Sequence, residues 1–199
     1  MDFKIDWLSW TSPINGLSDI GGVDSLNLAL RAVDVHTNSV LSMILLNGTW
    51  EREPSHGFYS VRYVEQLYGI SISWGEVNKH VFCEMSGTCC QRVFSTIDDN
   101  TLLASICDRC TRIDIACDIH TDVSPAIFCA DRGTSHFKTS GLYTSESGET
   151  AYVGSRKGGR MARVYRYAPP HPRSHLLRVE IELKKDSAKQ VCKAFALPD

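Results

Sequence analysis

An α+β chain with one broad, mostly antiparallel sheet and helices packed on one of its faces is predicted by three observations. Short segments rich in β-branched and aromatic residues recur along most of the length, alternating apolar with polar positions. Glycines stand between several of them, where tight hairpins require a positive φ. Only a few stretches carry helical spacing. With 199 residues, 43% of them hydrophobic, the chain suffices for one well-packed domain and is short for two, so residues 1–199 are read as a single domain.

The elements follow in order. Phe3 to Trp10 predicts an opening strand ended by Thr-Ser-Pro. From Asp24 to Val40 the residues Leu26, Leu28, Leu30, Val33 and Val40 suit a helix, with Asp24 or Ser25 as its cap. Gly48 and Pro54 mark loops, and strands are predicted over Tyr59 to Tyr63, Ile70 to Trp74 and His80 to Met85. Cys89 to Ser95 and Asn100 to Cys107 read as helices on either side of an Asp-Asp-Asn turn. A strand over Thr111 to Asp118 precedes a loop through Pro125. Three successive strands then cover Gly141 to Ser147, Thr150 to Ser155 and Met161 to Tyr167, with Gly148 and Gly158-Gly159 at their turns. Pro169, Pro170 and Pro172 forbid regular pairing before the last strand, Leu176 to Lys184, and a helix from Asp186 or Ser187.

Composition excludes several classes. No run of about 18 apolar residues exists, so a membrane span is not expected. The opening Met-Asp-Phe-Lys-Ile-Asp lacks a secretory signal's basic start and apolar core, which points to the cytoplasm. Eight cysteines suggest reduced, partly buried thiols rather than a disulfide framework, because disulfide-dense chains are mostly small and secreted. Cys107-x-x-Cys110 has knuckle spacing and Cys89-Cys90 would complete four thiolates, but without a second Cys-x-x-Cys pair structural zinc is the weaker reading. A Walker loop is absent, and no His-hydrophobe-His pair occurs. The net charge of −2 hides a strong asymmetry: the stretch from Thr150 to Val179 holds seven of the 21 Lys and Arg and none of the 23 Asp and Glu. Such a block attracts phosphates locally.

Three strands carry the chemistry. Side chains alternate along a strand, so Arg112, Asp114, Ala116 and Asp118 share one face of Thr111-Arg-Ile-Asp-Ile-Ala-Cys-Asp118. Arg178, Glu180, Glu182 and Lys184 share one face of Arg178-Val-Glu-Ile-Glu-Leu-Lys184, with Val179, Ile181 and Leu183 expected to point back into a core. Between them, Arg163, Tyr165 and Tyr167 lie together on Met161-Ala-Arg-Val-Tyr-Arg-Tyr167. In one sheet these faces would gather carboxylates, arginines and a tyrosine, which equips a site for a divalent metal and a phosphate.

These motifs, in the order TRIDIACD, TAYVGSRKGGRMARVYRY and LLRVEIELK behind an opening IDWLSWTSP and the segment Trp74 to Cys90, resemble the replication initiation factor family of rolling-circle plasmids and filamentous phages. The resemblance covers nearly the whole chain. Two departures stand out: Arg166 and Tyr167 follow the tyrosine where family members commonly have Asn or Asp and then Lys, and relatives usually continue well beyond the position of Lys184.

The resemblance implies an enzyme of a bacterial host that nicks and rejoins a DNA strand at an origin through a 5′-phosphotyrosyl intermediate. It implies Tyr165 as the nucleophile, with Tyr167 and then Tyr152 as the other candidates. Phenolate is a better leaving group than an alkoxide, so a 3′-hydroxyl can reverse the step. Mg²⁺ or Mn²⁺, expected for charge developing on the scissile phosphate, takes oxygen ligands, and Asp114 and Glu180, then Glu182, are the candidates. Asp118, about 13 Å from Asp114 along an extended strand, is too far to join it on one ion. The plainer alternative for these acids is an Arg–carboxylate ladder across adjacent strands. Arg112, Arg156, Lys157, Arg163, Arg178 and Lys184 are the expected contacts to DNA phosphates. His171 and His175 flank the prolines and read as exposed loop histidines.

The partner implied is origin DNA, with a single-stranded or cruciform nick site, and the resemblance also admits a homodimer and a host helicase. Two other functions fit the sequence: a conjugative relaxase on the same fold, and a catalytically silent DNA-binding regulator.

Overall fold

The computed structural model describes residues 3–14, 23–37, 40–55, 57–75, 78–97, 99–130 and 140–196. Ten strands form one hydrogen-bonded sheet: β1 (Phe3–Pro13), β2 (Trp50–Glu53), β3 (Val61–Glu65), β4 (Ser71–Gly75), β5 (Asn78–Met85), β6 (Cys110–His120), β7 (Ser140–Ser145), β8 (Gly148–Ser155), β9 (Arg160–Tyr167) and β10 (Leu176–Lys184). Their order is β2-β3-β4-β5-β1-β6-β10-β9-β8-β7, and the registered pairs are antiparallel. Among the described residues six α-helices accompany them: α1 (Val23–Thr37), α2 (Val40–Asn47), α3 (Gly87–Phe94), α4 (Asp99–Ile106), α5 (Ile127–Ala130) and α6 (Lys185–Phe195). The α+β architecture read from the sequence is therefore the one found. Among the described residues no helix is long and apolar enough to cross a membrane.

The chain divides into two compact units, residues 6–113 with 188–199, and residues 1–5 with 114–187. In the first unit the core is apolar: Leu8, Trp10, Ile72, Met85, Leu102, Leu103, Ile106 and Ile113 are fully buried. Two expectations change here. The segment from Asp24 belongs to α1, which is described to Thr37; residues 38–39 lie outside the described residues, and the apolar run from Val40, at the expected helix end, continues as α2 to Asn47, without a charged face to give it periodicity. On α1 Ala29, Leu30 and Val33 are buried, whereas Leu28 is 43% exposed. The side chains of Asp24 and Ser25, read as the cap, lie outside the described residues. Strand β2 was not expected either; Trp-Glu-Arg-Glu has no apolar alternation and is held by its ladder to β3 at the edge of the sheet.

In the second unit the strands β10, β9, β8 and β7 pair in succession. Arg178 stands opposite Tyr165, Glu180 opposite Arg163 and Val179 opposite Val164. Ala151, Val164 and Leu177 close a small core on which Cys129 of α5 and Val179 pack. The two faces of β10 depart from expectation. Ile181 is 42% exposed, while Arg178, Glu180 and Glu182 are buried, so the polar face is the more enclosed one and is not laid open. The physical reason is in their pairing: long arginine, lysine and tyrosine side chains fold over the carboxylates they bind.

Candidate active site

The site belongs to the second unit and is built on β6, β9 and β10. Side chains directly opposite each other in an antiparallel pair project from the same face, so the register puts Arg163 and Tyr165 of β9 beside Arg178 and Glu180 of β10. Tyr165 donates its hydroxyl hydrogen to Glu180 Oε1 at 2.6 Å. The same oxygen accepts from Arg178 Nε at 2.9 Å. The other oxygen, Oε2, pairs with Arg163 Nη2 at 2.6 Å, and that nitrogen also meets Asp114 Oδ2 at 3.5 Å. Asp114 is 1% exposed and Glu180 3%.

Asp114 and Glu180 thus converge on one nitrogen, and their facing oxygens can be no farther apart than those two contacts laid end to end. The ladder foreseen as the alternative is present as well. Arg178 links Glu180 to Asp118, donating from Nη1 to Oδ1 at 3.1 Å and Oδ2 at 3.2 Å. Lys4 closes the chain with Nζ at 2.8 Å from Asp118 Oδ2. Sequence reading missed Lys4; its only signal is a charge placed inside the opening strand.

The remaining predicted residues fall into three places. Glu182 lies two residues beyond Glu180 on the same face and pairs with Lys184 at 3.0 Å and Arg156 at 3.7 Å. Lys157 is exposed at the β8–β9 turn, where its backbone N–H is accepted by Ser155 Oγ at 3.3 Å. Arg112 belongs to the first unit and stacks over the Trp7 ring, 4.4 Å from its centroid. Arg166, on the opposite face of β9, donates to the carbonyls of Thr121 and Val123.

Among the three candidate nucleophiles the surroundings differ. Tyr167 lies edge-on to Tyr165, with centroids 5.3 Å apart, and stacks on His171 at 3.8 Å with Arg173 over its ring. Tyr152 lies opposite Arg163 in the β8–β9 ladder and edge-on to Tyr143. Tyr165 has its hydroxyl on a buried carboxylate. Burial, and then the hydrogen bond to Glu180, raise its pKa above the ordinary tyrosine value. The phenol is therefore held neutral, and its proton needs an acceptor before the oxygen can act as a nucleophile. Burial alone would raise Asp118, but the Lys4 hydrogen bond and the charges of Arg178 and Lys4 outweigh it and hold the carboxyl below its usual range.

For a divalent cation the donor chemistry fits at one point. Asp114 and Glu180 offer hard oxygens that already converge on a positive group, although a third His, Cys, Asp or Glu within ligating reach is not found among the described residues. All eight cysteines are free thiols, with Cys83 and Cys117 buried as expected.

These features define an α+β protein whose sheet presents a tyrosine hydroxyl on a buried carboxylate, flanked by arginines. Among solved structures, the chain is similar to the Rolling Circle Replication Initiator Protein from Geobacillus stearothermophilus, with a TM-score of 0.68 and 17% sequence identity over 98% of this chain and 79% of that one. It shares that protein's fold, in agreement with the resemblance carried by its sequence motifs. No protein-family model matches the chain, and no curated protein does.

Proposed function

We propose that this chain is a rolling-circle replication initiator that nicks one strand of its origin and holds the 5′ end through Tyr165. The observation that carries the reading is the hydrogen bond from the Tyr165 hydroxyl to Glu180, on a face that also holds Arg163, Arg178 and Asp114; the shared fold supports it.

In the proposed reaction Glu180 Oε1 accepts the phenolic proton as the Tyr165 oxygen attacks phosphorus. The bond from phosphorus to the 3′ oxygen breaks, that oxygen leaves as a 3′-hydroxyl with a proton from water, and Glu180 returns the phenolic proton to solvent, so the step is proton-neutral. The product is a 5′-phosphotyrosyl bond of similar energy, so the reverse attack by a 3′-hydroxyl rejoins the strand. Arg163 and Arg178 neutralise the phosphoryl oxygens, exchanging carboxylate for phosphate as their partner. Arg163 is suited to this because its buried Nε has no acceptor within the described residues. Asp114 and Glu180 Oε2 would hold Mg²⁺ or Mn²⁺, which when bound adds positive charge beside the phosphate.

The test is covalent capture. The protein is incubated with a single-stranded oligonucleotide spanning the nick site of its replicon, and the adduct is mapped by peptide mass spectrometry. Attachment at Tyr165 is expected, and attachment at Tyr152 or Tyr167 would reject the assignment.

A further inference from the structure

Beside the site, on the same face, lies a concavity of about 700 Å³ that the proposed reaction does not use. The ladders fix its position. Thr150 stands opposite Tyr165 and Tyr152 opposite Arg163, so the β8 side chains that line the hollow share the face of the tyrosine and the arginine. Tyr143 of β7 stands opposite Thr150, which places it two strand spacings, about 10 Å, from Tyr165.

Two aromatic rings border this hollow. Tyr143 and Tyr152 meet edge to face at 5.4 Å, and Tyr143 is 66% exposed, a large ring left in solvent. The floor is open because small residues provide it. Gly141 and Gly154 line it without side chains, and a Cβ at Gly141 would come within 3.4 Å of the Tyr143 ring. Arg156 stands at the rim with a 61% exposed side chain, 3.7 Å from Glu182, and belongs to the stretch from Thr150 to Val179 that holds seven Lys or Arg and no acid. Aromatic faces beside a positive track are the recurrent means of holding an unstacked base of a single strand.

We propose that this hollow is a nucleobase subsite: Tyr143 and Tyr152 stack on an unpaired base of the strand flanking the scissile phosphate, while Arg156 holds its backbone. The inference rests on the DNA-nicking reading and adds to it a second point of attachment, which would fix the strand's direction across Tyr165. One ring would lie against the base and the other against its edge. Because every base has a π-face, this contact tolerates sequence, and origin choice must arise elsewhere.

The experiment uses the full chain and two oligonucleotides of equal length, oligothymidylate and its abasic counterpart, with affinities read by fluorescence anisotropy. Tyr143→Ala and Tyr152→Ala should each weaken oligothymidylate binding about tenfold and leave the abasic strand nearly unaffected, while Tyr143→Phe keeps the parent affinity. An iodouracil-substituted strand should photo-crosslink to Tyr143 or Tyr152. Equal losses on both strands, no loss on either, or crosslinks confined to other peptides would overturn the subsite. If the parent binds both strands alike with a steep salt dependence, the subsite fails and the DNA reading stands. If it binds neither, both fail.

Discussion

The two units of this protein bury different chemistry with the same kind of strand. In residues 6–113 the enclosed strand positions are mostly apolar or small, as at Leu8, Trp10, Ile72, Cys83 and Met85, and the buried Glu65 at the end of β3 accepts from the backbone N–H groups of Leu67 and Tyr68. In residues 114–187 the enclosed positions include Asp114, Arg178, Glu180 and Glu182. Apolar burial stabilises by about 25 cal/mol per Å² removed from water. Burying a charge is unfavourable unless it is paired and hydrogen-bonded, and even a good pair often does no better than a hydrophobic replacement. Glu65 is spent on a turn's backbone N–H groups, whereas the acids and arginines clustered in the other unit pair with one another; that cluster is better explained by chemistry than by folding, and a neutral tyrosine hydroxyl on one of the carboxylates strengthens that reading.

The largest expected contrast is in reactivity. Tyr165→Phe should abolish covalent capture of an origin oligonucleotide and leave its non-covalent affinity within about twofold, since binding rests on the phosphate contacts that remain. Stability should fall by only about 1 kcal/mol, the worth of one hydrogen bond, because Glu180 keeps both arginines. Mixing the variant with DNA and running denaturing gels checks the first statement; thermal unfolding checks the second. Residual adduct in the variant would move the nucleophile elsewhere.

Metal removal comes next. Nicking should stop in excess chelator and return with added Mg²⁺ or Mn²⁺, and Asp114→Asn should raise the metal concentration needed for half-maximal nicking about tenfold or more. Full nicking in chelator would leave Arg163 and Arg178 as the whole electrostatic support and remove Asp114 from the metal assignment.

A stability comparison addresses the units directly. Ile72→Ala in the first unit and Glu180→Ala in the second should both destabilise, each by about 3 kcal/mol, for different reasons: a cavity in one, and in the other the loss of the buried carboxylate shared by Arg163 and Arg178, which keep only Asp114 and Asp118. A second substitution separates them. Adding Arg163→Met to Glu180→Ala should restore part of the loss, whereas truncating a neighbour of Ile72 should deepen it. Denaturant titration of the four proteins decides, and additive losses in both pairs would show that the charged network is not a unit.

Much of this was legible in the sequence because alternation is a local property. Final strand Leu176–Lys184 was read to the residue, and the grouping of Arg163, Tyr165, Glu180 and Arg178 on one face followed once the strands were adjacent. What the sequence could not supply was which face the rest of the protein encloses. Val179, Ile181 and Leu183 looked like the core because they are apolar, yet Ile181 is exposed and its charged neighbours are buried, an outcome set by tertiary pairing alone. The same limit hid Lys4, more than a hundred residues from its partner Asp118. It also hid helix α2 and the short edge strand β2, where pattern is weak and long-range ladders or packing decide.

The smallest expected effect lies at the end of the charged network and has a definite sign with pH. Asp118 is partly exposed, and its pairs with Lys4 and Arg178 are worth about 1 kcal/mol or less after solvent screening. Its folded pKa is depressed, so the folded protein binds fewer protons there than the unfolded chain. The contribution is complete at neutral pH, where both states are ionised. It fades as pH falls below the ordinary carboxylate value of about 3.9 and through the depressed folded value, because protonation then favours the unfolded chain. Asp118→Asn should therefore be slightly less stable than the parent at pH 7, with the gap closing on acidification below pH 4 and no change above pH 6. Urea titrations of both proteins across that range measure it. A gap that widens as pH falls would mean that Asp118 is held protonated rather than paired, and would detach Lys4 from the network that leads through Arg178 to Glu180 and Tyr165.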